Sequence, residues 1–149
     1  MAQEDKITEI LAPYGAFITY VPLRGEVPFL DYLTIPENAV RFEIAPRASL
    51  DPTAEAKKAM EIVGTTPTAI LMPGRSFDAH GTRHGQGGGW YDRFLTKVPR
   101  SWLRVGFCYE HQFSSTPLLR QSWDQEMDAV IVVSAAGARL IHSSATIAS

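Results

Sequence analysis

A three-layer, Rossmann-like α/β domain with a mostly parallel sheet is the fold this sequence predicts, and three observations carry it. Residues 68–72 (TAILM) form a compact apolar run with turn-forming residues on both sides, the pattern of a strand buried on both faces. Residues 103–109 and 129–133 are two further runs suited to core strands. A glycine-rich loop and then an amphipathic segment follow the first run, an order that reads strand, loop, helix.

The chain has 149 residues, 45% hydrophobic and 20% charged, which suits one domain, residues 1–149, around one core. A net charge of −2 gives no general attraction to nucleic acid or anionic membrane, so any anion site must be local. No apolar run approaches a membrane span, and charges interrupt residues 1–12 where a signal peptide needs an apolar core, so a cytoplasmic location is expected. Cys108 is the only cysteine, which excludes an intrachain disulfide and reads as a small buried apolar residue.

Taken in order, Ile7, Ile10 and Leu11 recur at helical spacing, and Pro13 with Gly15 ends a helix over 3–12. Residues 16–21 are β-branched and aromatic and read as a strand, followed by an Arg24-Gly25-Glu26-Val27-Pro28 turn. Two short alternating runs, 30–35 and 40–44, flank Pro36-Glu37-Asn38 and suggest a small peripheral hairpin. Thr53 is placed to cap a helix over 54–63, with Gly64 past its end. Residues 91–98 make the next helix, stopped by Pro99, and 138–142 an edge strand after the Ala135-Ala136-Gly137 turn. The small polar tail, 143–149, is expected to fray.

The loop between 73 and 92 organises the rest. Five glycines fall between Gly81 and Gly89, and glycine leaves backbone N–H groups unshielded, so such a loop can wrap its amides around a phosphate. Arg75, Arg83 and Arg93, with His80 and His84, concentrate cationic donors there against the global charge. A flexible surface turn accounts for a glycine cluster equally well, and no Gly-Lys-Ser/Thr closes the loop as a Walker A motif would. Ligands of open α/β sheets bind at the carboxyl ends of the strands, where this loop departs. Asp92 can share a magnesium ion with bound phosphates or merely complement the helix dipole. Asp124, Glu126 and Asp128 precede the last core strand and read, alone, as a solvated acidic turn. Asp78 suits an Asx-turn that pins the loop.

The pattern Met72-Pro73-Gly74, Phe77-Asp78, Gly81, Arg83, Gly85, Gly87, Gly89 and Tyr91-Asp92 resembles the signature of the 5-formyltetrahydrofolate cyclo-ligase (5,10-methenyltetrahydrofolate synthetase) family. That resemblance implies ATP- and Mg2+-dependent closure of 5-formyltetrahydrofolate to 5,10-methenyltetrahydrofolate through a phosphorylated formyl group, with ATP as co-substrate. It implies that Arg83 and the Gly85-Gln86-Gly87-Gly88-Gly89 loop hold the triphosphate, and that Asp92 and Asp124 hold magnesium. Trp90 and Tyr91 border the folate, Arg83 and Tyr91 taking the catalytic roles. Asp128 then falls in a more structural position, and Gln112 matches the family without an assigned role. Trp90 stands where tyrosine is usual, His84 where leucine is common and Arg75 where a small or aliphatic residue is common.

The family's N-terminal lysine and arginine, which contact ATP, find no match before Lys6, so the resemblance implies an N-terminally shortened cyclo-ligase-like fold. On that alignment 16–21 is the family's second strand. Glu26 is set aside as the folate-contacting glutamate, because the 51-residue step from Pro22 to Pro73 is too short to hold a further strand and helix. Loss of the first strand exposes an apolar sheet edge, favouring a homo-oligomer or an N-terminal segment packed in its place. The partners implied are a small-molecule folate and a nucleotide. Two rival readings are a catalytically silent nucleotide- or phosphate-binding descendant, and a hydrolase or transferase for another phosphorylated compound.

Overall fold

The computed structural model describes residues 3–44, 50–85 and 89–143. Its centre is a six-stranded sheet of β1 (Ala16–Tyr20), β2 (Val40–Ile44), β3 (Thr68–Met72), β6 (Leu103–Tyr109), β8 (Ala129–Ser134) and β9 (Gly137–His142), in spatial order β2-β1-β3-β6-β8-β9. Every neighbouring pair is parallel except β8 with β9. A smaller sheet joins β4 (Ser76–Asp78), β5 (Arg83–His84) and β7 (Phe113–Ser114), with β4 in the middle.

Side chains alternate across the pleat and so supply two cores. Ala69 and Leu71 of β3, Val105 and Phe107 of β6 and Ile131 and Val133 of β8 join Ile7 and Leu11 of helix α1 (Gln3–Leu11) on one face. On the opposite face Ile70, Met72, Cys108, Val130 and Val132 pack with α2 (Pro52–Val63) and α3 (Trp90–Leu95). The mixed α/β architecture and the mostly parallel sheet are thus as the apolar runs predict. No helix among the described residues is long and apolar enough to cross a membrane.

Four local expectations need correction. The runs at 30–35 and 40–44 do not form a hairpin: the first holds only a 3-10 turn at Phe29–Asp31, and the second is β2, an edge strand parallel to β1. A parallel partner is invisible to a reading that pairs neighbouring runs across a short turn. Helix α2 begins two residues earlier than expected, because the Asp51 side chain accepts the Thr53 N–H at 3.2 Å and Pro52 supplies the first helical φ. The helix expected over 91–98 is confined to Trp90–Leu95. Ser143 is not frayed, since it is buried and its N–H donates to the Asp128 carbonyl at 3.0 Å, whereas 144–149 lie outside the described residues.

Two glycines set the position of the loop. Phe77 of β4 lies directly on Gly106 of β6, where an added Cβ would stand 2.2 Å from a ring carbon. Gly81, at φ +83°, meets the backbone of Met127, whose N–H donates to the Gly81 carbonyl at 2.8 Å. The small sheet is thereby seated on the large one from the middle of β6 to the segment that enters β8.

Candidate active site

The chain places β2 on one side of β1 and β3 on the other, so the segments leaving the carboxyl ends of β1 and β3 diverge. A crevice between such segments is where open α/β sheets bind ligands. The turn after β1 carries Glu26, and the loop after β3 carries Arg83, Tyr91 and Asp92.

The Glu26 turn is tied on three sides. Its N–H donates to the Leu23 carbonyl and its Oε1 accepts the Leu23 N–H, both at 2.9 Å. Tyr20 donates its hydroxyl to the Val27 carbonyl at 2.6 Å, and Gln112 Nε2 donates to the Gly25 carbonyl at 3.3 Å while Gln112 Oε1 accepts the Tyr109 N–H at 2.9 Å. Gln112 thus fastens this turn to the end of β6. So held, the Glu26 carboxylate acts electrostatically on Arg83 and on Tyr91. This corrects the reading that set Glu26 apart. The spacing argument held the interval from Pro22 to Pro73 too short for a further strand and helix, yet it holds both β2 and α2, because a 3-10 turn makes the first crossover.

Arg83 is 9% exposed, and its Nε donates to the Pro73 carbonyl at 2.5 Å. Its guanidinium carbon lies 4.7 Å from the centroid of the Tyr91 ring. Among the described residues its two terminal nitrogens have no hydrogen-bond partner, and no carboxylate pairs with it directly. Burial pulls the guanidinium below the usual arginine range, while Tyr91, Asp92, Glu26 and Asp124 work in the other direction. Burial likewise pushes the Tyr91 phenol well above its ordinary value; Arg83 opposes that shift and Glu26 adds to it. Tyr91 is therefore a hydroxyl donor rather than a base at neutral pH.

The strap that precedes β8 is tied to Asp92 by the residue next to Asp124. Gln125, next to Asp124, donates its N–H to Asp92 Oδ1 at 3.1 Å, and Asp124 Oδ2 accepts the Gln121 N–H at 2.8 Å. Each carboxylate keeps one oxygen without a hydrogen-bond partner among the described residues. No cluster of three or more His, Cys, Asp or Glu suited to a metal occurs among them. Two carboxylates are the donor set magnesium commonly takes from a protein when phosphates and water complete its shell, so the pair fits a shared Mg2+ and not an all-protein cage. Asp128 serves the structure, bonding the Arg104 N–H at 2.9 Å and forming an ion pair with Arg100 at 2.9 Å.

Asp78 pins the loop as expected. Its Oδ1 accepts the His80 and Thr82 N–H groups, both at 2.9 Å, and its Oδ2 accepts the Leu118 N–H at 2.8 Å. Burial alone would raise this carboxyl, but the donors from Leu118, Thr82 and His80 outweigh it and hold the group below the usual aspartate range. Gly85 lies against Arg83, where a Cβ would stand 2.9 Å from Nη2, and Gly89 enters α3 at φ +66°. Gln86, Gly87 and Gly88 lie outside the described residues. Trp90 donates Nε1–H to the Leu50 carbonyl at 2.9 Å and stacks on Phe94 at 5.5 Å, so one indole face is taken by the core. His84 bonds the Leu119 carbonyl at 2.6 Å, and the exposed Arg75 donates its backbone N–H to the His84 carbonyl at 2.7 Å. A concavity of about 530 Å³ beside the loop is lined by Asp78, Thr82, Arg120 and Glu126, all bonded to one another or to backbone.

Residues 20–133 match the model of the 5-formyltetrahydrofolate cyclo-ligase family. The chain belongs to that family. Glu26, Arg83, Tyr91, Asp92 and Asp124 all fall inside the matched span. It is 28% identical to a 5-formyltetrahydrofolate cyclo-ligase of Mycoplasma pneumoniae over 135 residues, covering 85% of this chain and 80% of the relative. It is 26% identical to the cyclo-ligase of Mycoplasma genitalium over 121 residues, 75% of this chain and 68% of that one. A solved 5,10-methenyltetrahydrofolate synthetase from Mycoplasma pneumoniae superposes with a TM-score of 0.56 at 22% identity, over 86% of this chain and 80% of the other, and shows that the fold is shared.

Proposed function

We propose that this protein converts 5-formyltetrahydrofolate to 5,10-methenyltetrahydrofolate at the expense of Mg·ATP. The observation that carries the reading is Arg83, a desolvated guanidinium at the carboxyl edge of the sheet. Its terminal nitrogens lack partners among the described residues, and Glu26, Asp92 and Asp124 all act on it. A buried cation held by one hydrogen bond costs free energy unless an anion completes it. Family membership supports the triphosphate as that anion.

The reaction turns a formyl oxygen, a poor leaving group, into a phosphate, a good one. The formyl oxygen attacks the γ-phosphorus and ADP departs; N10 then adds to the resulting iminium carbon and gives up its proton to water, and the C–O bond breaks to release phosphate. Arg83 neutralises charge that develops on the transferring phosphoryl oxygens, the kind of stabilisation that dominates phosphoryl transfer. Tyr91, kept protonated, donates a hydrogen bond without competing for the proton that N10 sheds. Asp92 and Asp124 hold magnesium, which when bound neutralises phosphate oxygens. The amides from Gly85 through Gln86, Gly87 and Gly88 to Gly89 are assigned to the triphosphate. Trp90 and Tyr91 are assigned to the border of the folate, and Glu26 acts electrostatically on the Tyr91 phenol.

The test follows methenyltetrahydrofolate absorbance with purified protein, Mg·ATP and 5-formyltetrahydrofolate, alongside Mg·ATP calorimetry. Turnover in the native protein and its loss in Asp92→Asn support the enzyme. Nucleotide binding without turnover converts the protein into a silent binder, and absence of both sinks either reading.

A further inference from the structure

Arg104 of β6 is 2% exposed, yet no carboxylate pairs with it directly among the described residues. One terminal nitrogen donates to Gln125 Oε1 at 2.9 Å and the other to the Leu95 carbonyl at 3.3 Å, while Nε finds no partner. Burial and the neighbouring Arg100 pull this guanidinium down to about 10, against the pull of Asp128, Asp92 and Glu126. An apolar side chain of similar volume avoids that desolvation, so fold stability alone gives no reason for a guanidinium here.

Its two bonds end on the two segments that carry the paired carboxylates. Leu95 closes α3, which bears Asp92, and Gln125 adjoins Asp124 on the strap. Because the Gln125 N–H also donates to Asp92 Oδ1, the ties form a closed ring. It runs from Arg104 to the Gln125 side chain, from the Gln125 backbone to Asp92, along α3 to Leu95, and back to Arg104. The strap cannot slide along α3 without stripping a buried cation of its partners.

We infer that Arg104 is a positioning residue, which through Gln125 sets the placement of Asp124 against Asp92 and so the affinity of the pair for a divalent ion. This rests on the assignment of those two carboxylates to magnesium. Arg104 touches neither substrate nor ion, and it acts only through the ring.

The experiment measures Mn2+ binding to the whole protein by electron paramagnetic resonance and calorimetry, in native protein, Gln125→Met, Arg104→Met and the double variant, with melting curves for each. Gln125→Met removes the acceptor for Arg104 but keeps the backbone N–H to Asp92, and it decides the matter even where Arg104→Met fails to fold. A weakening of Mn2+ binding by about tenfold in each single variant is expected, the usual size for lost support behind a metal ligand. The double variant should be no weaker than the worse single one, because both changes open the same ring. The Mg2+ concentration for half-maximal turnover should rise in step, with KM for the folate unchanged. Gln125→Met with native Mn2+ affinity overturns the inference, as do variants that lose melting temperature but bind Mn2+ normally per folded molecule. If native protein binds Mn2+ and Asp92→Asn binds it equally well, the carboxylate assignment itself falls, an outcome separable from the first.

Discussion

Replacement of Arg83 by methionine separates an anion-binding role from a structural one. The variant loses a charge-assisted bond to the Pro73 carbonyl, at 2.5 Å, and a guanidinium over the Tyr91 ring at 4.7 Å. Bonds to charged groups contribute about 1.5–3 kcal/mol and desolvated cation–π contacts about 2 kcal/mol. Against this, the native protein keeps a guanidinium that is only 9% exposed out of water, a penalty that returns several kcal/mol when the charge is removed. The terms nearly cancel, so stability should change by no more than about 2 kcal/mol, or roughly 4–8 °C in melting temperature for a chain of this size. Turnover should behave differently. Loss of a donor aimed at developing negative charge costs about 3–4 kcal/mol in the transition state, or on the order of 10²–10³ in kcat. Melting curves and the methenyltetrahydrofolate assay on the same preparation read both quantities. A variant that turns over within about threefold of native protein, or whose activity falls only as its folded fraction falls, refutes the reasoning.

Other expectations follow from the same geometry. Gly106→Ala drives a Cβ to 2.2 Å from Phe77 and should destabilise by about 1–3 kcal/mol in urea unfolding, with Phe77→Leu in the same chain recovering part of the loss. Asp78 has a folded-state pKa below its unfolded value, so its contribution is complete above about pH 4, the unfolded aspartate range, and is lost as pH falls through the lower folded value. The stability gap between native protein and Asp78→Asn should therefore be constant at neutral pH and close in acid, as melting curves across that window will read. Burial pushes the Cys108 thiol up to about 12, so a thiol-specific reagent at pH 7 should label it only after denaturant is added. Glu26→Gln should raise KM for the folate while leaving KM for ATP within about twofold; an equal rise in both places the carboxylate on the nucleotide side instead.

The parts of the fold legible in the sequence are those whose partners scarcely matter. Residues 68–72, 103–109 and 129–133 are apolar on both faces, and a strand buried on both sides looks the same whichever strands flank it. Asp78 was legible for a related reason, since an Asx-turn is specified within a few residues of its own position. Pairing at a distance was not. β2 alternates Val40, Phe42 and Ile44 with Arg41 and Glu43, the pattern of any half-exposed strand, and nothing in it tells a parallel neighbour 24 residues back from a hairpin mate. Arg104, likewise, sits in a strand where the sequence shows only one charge among apolar residues, and its value depends on a strap that lies about 20 residues further on.

Glu26 shows how one such error propagates into function. Once β2 is read as a peripheral hairpin, β1 has no strand on its outer side, the sheet has no reversal of order next to it, and the turn after β1 has no reason to face a ligand. With β2 restored to the sheet, the reversal falls between β1 and β3, where open α/β sheets bind ligands, and Glu26 in the turn after β1 acts electrostatically on Arg83 in the loop after β3. In a chain of net charge −2 the crossovers nevertheless gather groups of both signs, Glu26 after β1, Arg83 and Asp92 after β3 and Asp124 before β8, and Glu26, Asp92 and Asp124 all act electrostatically on Arg83. Composition averages these contributions away. Topology gathers them, which is why Glu26 joins Arg83, Tyr91, Asp92 and Asp124 only once the order of the strands is known.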